Sequence, residues 1–242
     1  MGKKFAVFDI DGTLIRWQLY HAIVNRLAAK GKISKEAYEK IRETRMVWKK
    51  REYDTSFGDY ELALVQQWAA ESKKLTYDQY LETVDEVVDE YIDQAYTYTR
   101  DLIKELRDKG YFLLSISGSP KEAVARVAKH YGFDDFVAAE FLLDKNKHFA
   151  GKGFSPVFDK AKALRKLVAK HDLDFAGSVA IGDTASDIAI LELVENPIAF
   201  NPEKKLFEAA KKSGWPIVIE RKNMVYELKP QGKSYQLQEK AK

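Results

Sequence analysis

The sequence predicts an α/β fold, a doubly wound, mostly parallel (Rossmann-like) sheet core carrying an inserted all-helical segment. Three observations carry this reading. Short apolar runs alternate with helix-patterned stretches from residue 97 onward. One strand-like run, Phe5-Ala6-Val7-Phe8, stands well ahead of them. Between the two lies a long segment whose apolar residues recur only at helical spacing.

The opening run empties into Asp9-Ile10-Asp11-Gly12-Thr13, as a buried parallel strand meeting a polar loop does. Within residues 16–96, Trp17, Tyr20, Val24 and Leu27 share one helix face, and Tyr77, Tyr80, Leu81, Val84, Val87, Val88 and Tyr91 share another. About four helices are expected there, the last opened by a capping box at residues 76–79. The expected division is a core of residues 1–15 and 97–242 and a helical insert of residues 16–96. In the core, a helix over 99–109 ends at Gly110 and a strand follows over 111–116. Ser119-Pro120-Lys121-Glu122 reads as N-cap, N1 proline and capping-box glutamate. A hairpin is expected from 137–143 and 147–150, a helix over 156–170, a strand over 178–181 and a helix over 185–194. Strands at 198–200 and 217–219 flank a helix at 203–212. In such sheets ligands bind at the carboxyl ends of the strands.

Composition narrows the function classes. Hydrophobic residues make up 45% and charged residues 32% of 242, an ordinary globular balance. No apolar run reaches the roughly 18 residues of a membrane span, no leader is expected ahead of the first strand, and a cytoplasmic location follows as the expectation. With no cysteine, thiolate metal sites and disulfides are excluded. Six Lys/Arg against two Glu in residues 221–242 hold the whole net positive charge. The body is close to neutral, so neither nucleic acid nor membrane is an expected partner, and the tail is expected to be solvated and partly disordered. The four histidines lack ligand spacing. No P-loop or Gly-x-Gly-x-x-Gly supports a nucleotide.

Three strings and one lysine can carry chemistry. Asp9 and Asp11 lie two apart after the first strand, and carboxylates that close repel unless a hard cation or a shared proton relieves them. Turn capping by Asp-Gly is the plain alternative. Ser117-Gly118 sits at a strand-to-helix junction, where a hydroxyl and free N–H groups can hold an anion. Ser119 serves as the cap and leaves Ser117 free. Gly182-Asp183-Thr184-Ala185-Ser186-Asp187 follows another strand, with helix capping again the plain alternative. Lys160 lies near the start of the helix before it.

Taken in order, Asp-x-Asp-Gly-Thr, Ser-Gly, a helix-start Lys and Gly-Asp-x-x-x-Asp resemble the haloacid dehalogenase-like hydrolase superfamily. The helical insert between the first two motifs is similar to the branch that includes phosphoserine phosphatases. The resemblance implies a Mg²⁺-dependent phosphatase acting on a small-molecule phosphate ester through a phospho-aspartate on Asp9. It makes Asp11 the acid and base, and Ser117, Gly118 and Lys160 the phosphate-binding residues. Mg²⁺ would sit on Asp9, the Asp11 carbonyl, Asp183 and Asp187, beneath a substrate-selecting cap of residues 16–96. The same residue set leaves a phosphotransferase as the nearest alternative and a non-catalytic phosphate-binding protein as the more distant one. Phosphoserine phosphatases of the branch carry a glutamate nine residues after the nucleophile; Gln18 stands here, so strict phosphoserine specificity is not expected. Arg16, Gln18 and Tyr20, with Trp17, Trp48 and Arg51, are the expected substrate contacts of the cap, pointing to an aromatic or anionic leaving group. Oligomeric state is not legible in the sequence.

Overall fold

The computed structural model describes residues 2–232 and 234–238. Its centre is an eight-stranded sheet in the order β10-β9-β8-β7-β6-β1-β2-β3. These are β1 (Lys3–Phe8), β2 (Phe112–Pro120), β3 (Asp135–Ala139), β6 (Leu173–Gly182), β7 (Asn196–Phe200), β8 (Ile217–Arg221), β9 (Met224–Gln231) and β10 (Ser234–Gln238). The strands from β3 across to β8 pair in parallel; β8, β9 and β10 pair antiparallel. A separate two-stranded ribbon joins β4 (Phe141–Leu143) to β5 (Phe149–Lys152).

Strand β1 is apolar at every position from Phe5 to Phe8 because both its faces are covered. Ala6 and Phe8 face one core cluster, Phe5 and Val7 the other, as the period of two requires. Four helices fill the insert: α1 (Leu19–Ala29), α2 (Lys35–Lys49), α3 (Ser56–Glu71) and α4 (Tyr77–Tyr91). Ser34 and Thr76 cap α2 and α4 with their hydroxyls. The core helices are α5 (Thr97–Asp108), α6 (Lys121–Tyr131), α7 (Lys160–Lys170), the four-residue α8 (Ile188–Leu191) and α9 (Lys204–Ser213). Among the described residues no helix is long and apolar enough to cross a membrane.

Several expectations need correction. Residues 224–231 and 234–238 of the basic tail are ordered strands. Leu228 lies opposite both Ile217 and Leu237, and the Tyr235 hydroxyl donates to the Trp215 carbonyl at 2.9 Å. The remainder of the tail, Lys233 and residues 239–242, lies outside the described residues. The stretch 137–143 is two strands. Its first part joins the main sheet beside β2, and its second turns away to pair with β5. The helix expected over 156–170 begins only at Lys160, after a 3-10 turn at Pro156–Phe158, because Asp159 caps it. The helix expected over 185–194 is a 3-10 turn followed by α8. Ser119 caps nothing. It lies within the last residues of β2, Pro120 takes the cap position of α6, and the Ser119 hydroxyl accepts the N–H of Tyr20 instead. Glu122 closes no capping box; it accepts the hydroxyls of Tyr77 and Tyr80 from α4 at 2.6 and 3.2 Å.

The insert is tied to the core along two sides. Arg126 of α6 pairs with Asp85 and Asp89 of α4, and the Tyr131 hydroxyl donates to the Ile92 carbonyl. Across from them, Lys204 meets Asp54 at 2.5 Å just ahead of α3. Where the chain enters and leaves the insert, Arg16 donates to the Ala95 carbonyl and to Glu220, which also accepts the N–H groups of Thr97 and Tyr98.

Candidate active site

Strand order explains why distant motifs meet. β1 is flanked by β6 and β2, so the carboxyl ends of these three neighbours place Asp9, Asp183 and Ser117 at one sheet edge.

The loop after β1 is tightly wound. The amides of Leu14 and Ile15 donate to the Ile10 carbonyl, and Gly12 lies at φ +81°, a left-handed turn that glycine adopts without strain. A Cβ at Gly12 would stand 2.3 Å from Asp183 Oδ2. This close approach lets Thr13 donate to Asp183 Oδ1 at 2.9 Å. Asp11 turns away from Asp9: Oδ1 accepts the Leu19 N–H at 2.6 Å and Oδ2 the Ser117 hydroxyl at 2.8 Å. The Ser117 oxygen in turn accepts the N–H of Ser119. At Gly118 a side chain would collide with Val157, whose Cγ2 lies 2.4 Å from the position of a Cβ.

Lys160 is only 3% exposed and bridges two carboxylates, Asp9 Oδ1 at 3.0 Å and Asp187 Oδ1 at 2.6 Å. A cation in the first turn of α7 opposes the helix dipole, so its placement answers to the carboxylates rather than to the helix. Asp187 uses Oδ2 to accept the amides of Asp183 and Thr184, forming the capping box of its own turn. A Cβ at Gly182 would sit 2.4 Å from its Cγ.

One ligand oxygen each from Asp9, Asp183 and Asp187 lies within 4.8 Å of the others. Four carboxylates, counting Asp11, therefore share one lysine. Burial pushes the Asp9 carboxyl up to about 7; Lys160 opposes the rise, and Asp187 and Asp11 add to it. Burial likewise raises Asp11, against the hydrogen bonds from Leu19, Ser119 and Ser117. Asp183 is pushed well up by burial and then by Asp9 and Asp187. Burial works to lower Lys160, but Asp187 and Asp9 outweigh it and keep the ammonium charged. A cluster of oxygen donors with this excess of negative charge suits a hard divalent cation.

The expected cap residues are distributed differently. Arg16 is engaged by Glu220 and lies over the Tyr96 ring. Gln18 is half-buried at the N-cap of α1, where its side chain makes no capping bond. The Tyr20 ring packs with Trp68 and Phe141, each 6.2 Å away. Trp48 stacks on Tyr60, and Arg51 is exposed beyond α2 with φ +57°.

Sequence reasoning missed Glu61 of α3. Solvent reaches it, yet protein encloses its carboxyl enough to push it up to about 7, first by burial and then by Asp11 and Glu203, with Lys160 opposing. It also missed Arg45, which shares a polar cluster with His21 and Tyr60. No short-range spacing marks either residue; only the packing of α1, α2 and α3 brings them in.

Comparison with known proteins agrees with this geometry. The family model described as haloacid dehalogenase-like hydrolase matches residues 6–192. An inhibition of morphological differentiation protein from Streptomyces azureus is 30% identical over 163 residues, covering 66% of this chain and 56% of that protein. Phosphoserine phosphatase SerB2 of Mycobacterium tuberculosis is 27% identical over 212 residues, covering 86% and 46%. The chain thus spans about half the length of these two relatives. A histidinol-phosphatase from Neisseria meningitidis is 24% identical and matched over 98% of its length, with 89% of this chain covered. Among solved structures, a Bordetella pertussis protein of unknown function superimposes with a TM-score of 0.70 at 19% identity, covering 91% of this chain and 99% of that one. A phosphoserine phosphatase with a phospho-aspartyl intermediate analogue gives 0.65 at 21%, covering 92% and 95%. These two share the fold. Motif order, sheet topology and a family match over most of the length together establish that the chain belongs to the haloacid dehalogenase-like hydrolases.

Proposed function

We propose that the chain is a Mg²⁺-dependent phosphatase that hydrolyses a small-molecule phosphomonoester through a phospho-aspartate on Asp9. The observation that carries this reading is the division of labour between the two loop carboxylates. Asp9 is held against Lys160, whereas Asp11 is turned away onto Leu19 and Ser117.

Asp9 attacks phosphorus in line with the ester oxygen, and the P–O bond to the leaving alcohol breaks. Burial favours the protonated form of Asp11, so it can give its proton to the departing oxygen and then take one from the water that opens the aspartyl phosphate. Ser117, the Gly118 N–H and Lys160 hold the non-bridging oxygens. Asp9, Asp183 and Asp187, with the Asp11 carbonyl, are the residues that would hold Mg²⁺. Bound there, the ion supplies positive charge to the transferring phosphoryl group.

Residues 16–96 act in this reading as the cap that selects the leaving group and limits water during transfer. Names of relatives that include phosphoserine phosphatase and histidinol-phosphatase support the reaction class. The test is phosphate release from a panel of phosphomonoesters, with Mg²⁺ and with chelator, in the presence and absence of alcohol acceptors. Metal-dependent release of inorganic phosphate is expected. Transfer to the acceptor as the main product would make the protein a phosphotransferase, and binding without turnover would leave it a phosphate-binding protein.

A further inference from the structure

The two backbone segments that join the core to the inserted helices run side by side. Ile15 and Ala95 form an antiparallel bridge, the Arg16 N–H donates to the Gln94 carbonyl, and the Tyr96 N–H donates to the Leu14 carbonyl, both at 2.9 Å. Directly after them α5 begins on a poor cap. Tyr96 holds the N-cap position and its side chain makes no capping bond, which leaves the orphan amides of the first turn to be satisfied from elsewhere. Glu220, near the carboxyl end of β8, supplies the acceptor: Oε1 takes the Thr97 N–H at 3.1 Å and Oε2 the Tyr98 N–H at 2.8 Å. The same carboxylate pairs with Arg16 at 2.6 Å, while Arg16 Nε donates to the Ala95 carbonyl at 2.9 Å. One ion pair therefore spans both linkers and the start of α5.

Glu220 is only 7% exposed, and it is held from the core side as well. Its N–H donates to Asn201 Oδ1 at 2.8 Å, with Asn201 in the left-handed conformation, φ +41°, that asparagine tolerates. In the same turn the Glu203 N–H donates to the Asp183 carbonyl, and the Glu203 carboxylate accepts the Ala185 N–H. Within α5 the Thr99 hydroxyl donates to the Thr13 carbonyl at 2.9 Å. The neighbours of Glu220 thus reach the loops after β1 and β6. By contrast, the ion pairs of Arg126 with Asp85 and Asp89, and of Lys204 with Asp54, are exposed, and such pairs are worth little alone.

We propose that Glu220 and Arg16 form a clasp that seats the inserted helices over the catalytic loops. Both are then positioning residues for the reaction, and Arg16 is not a substrate contact. The inference rests on the phosphatase reading. With the clasp intact, the free protein already holds the insert in its substrate-binding seat. Without it, substrate has to draw the insert into that seat, so apparent affinity falls by the seated fraction while the saturated enzyme turns over as before.

The test compares the wild type with Arg16→Met and with Glu220→Gln, which keeps an acceptor for α5 but offers Arg16 no charge. Hydrogen exchange in peptides spanning residues 14–16 and 94–98 is read by mass spectrometry, with peptides from β6 and β7 as the internal reference. Steady-state hydrolysis of an aryl phosphate at saturating Mg²⁺ separates KM from kcat. Both variants are expected to exchange about tenfold faster in the linkers alone and to raise KM about tenfold, with kcat within about twofold of wild type. Arg16→Lys should restore part of each change. Three results overturn the proposal and leave the phosphatase reading intact: unchanged linker exchange, faster exchange with KM unmoved, as a purely structural pair would give, or a rise in KM in Arg16→Met that Glu220→Gln does not share. Either variant alone decides the first two if the other does not fold. A wild type that turns over no phosphomonoester overturns the phosphatase reading and this inference together.

Discussion

Lys160 is the residue on which the electrostatics of the site turn. It is almost fully buried between Asp9 and Asp187, and removing one partner of a buried ion pair leaves the other uncompensated. Lys160→Met is therefore expected to lower unfolding free energy in chelator by about 3 kcal/mol, read by urea denaturation, with Mg²⁺ restoring part of the loss. Phosphate release should fall by roughly 10²-fold or more. His21 supplies a second test at this scale. Burial, helped by Arg45, lowers its pKa from 6.5 to about 3. Between those values the unfolded chain binds a proton that the folded chain refuses. The neutral ring's contribution is complete above the unfolded pKa of about 6.5 and shrinks by roughly 1.4 kcal/mol per pH unit as pH falls toward 3. From pH 7 to about 5.5 the wild type should lose about 1 kcal/mol more than His21→Leu; parallel pH profiles would refute the assignment.

At the scale of elements, the loop after β1 matters most, because it brings Asp9 and Asp11 to the sheet edge and packs against the loop after β6. Gly12 joins the two: its left-handed backbone and the 2.3 Å approach of Asp183 Oδ2 leave no room for a side chain. Gly12→Ala should displace Asp183 and weaken Mg²⁺ binding on the order of tenfold, measured by calorimetry, while the far-ultraviolet spectrum stays native; unchanged affinity would show that Asp183 does not hold the ion. These elements were legible in the sequence because each motif is local. Asp-x-Asp, Ser-Gly and Gly-Asp-x-x-x-Asp each sit at one strand end, and the spacing of Tyr77, Tyr80, Val84 and Val88 announces α4. The antiparallel edge was not legible. Val225 and Leu228 are the residues of β9 that pack against the core while Met224 and Tyr226 stay exposed, so no clean alternation marks the strand. Glu227, Lys229 and Gln231 in the same run disguise a segment recruited only through β8 and β10. Ser119 and Glu122 were misread for a related reason. Their local pattern fits a cap, and contacts with α1 and α4 take both side chains.

At the scale of the whole molecule, the parallel core gathers the reactive groups and the four inserted helices stand beside them. The insert is held to α6 by the Arg126 pairs and to the start of α9 by Lys204 and Asp54. The Lys204–Asp54 pair is exposed and worth little alone. On the other side, the part-buried Glu122 accepts the hydroxyls of both Tyr77 and Tyr80. Neighbours such as His21, Arg45 and Tyr60 resist sequence reading because they come from α1, α2 and α3 in turn, and no short-range pattern records how the helices pack.

The central claim is that Asp9 becomes phosphorylated during turnover. The most direct measurement is acid-quench mass spectrometry of the protein mixed with an aryl phosphate and Mg²⁺. The account predicts one added phosphoryl group on the peptide containing Asp9, absent with chelator and absent in Asp9→Asn. Turnover that proceeds without such an adduct, or that persists undiminished in Asp9→Asn, would contradict it.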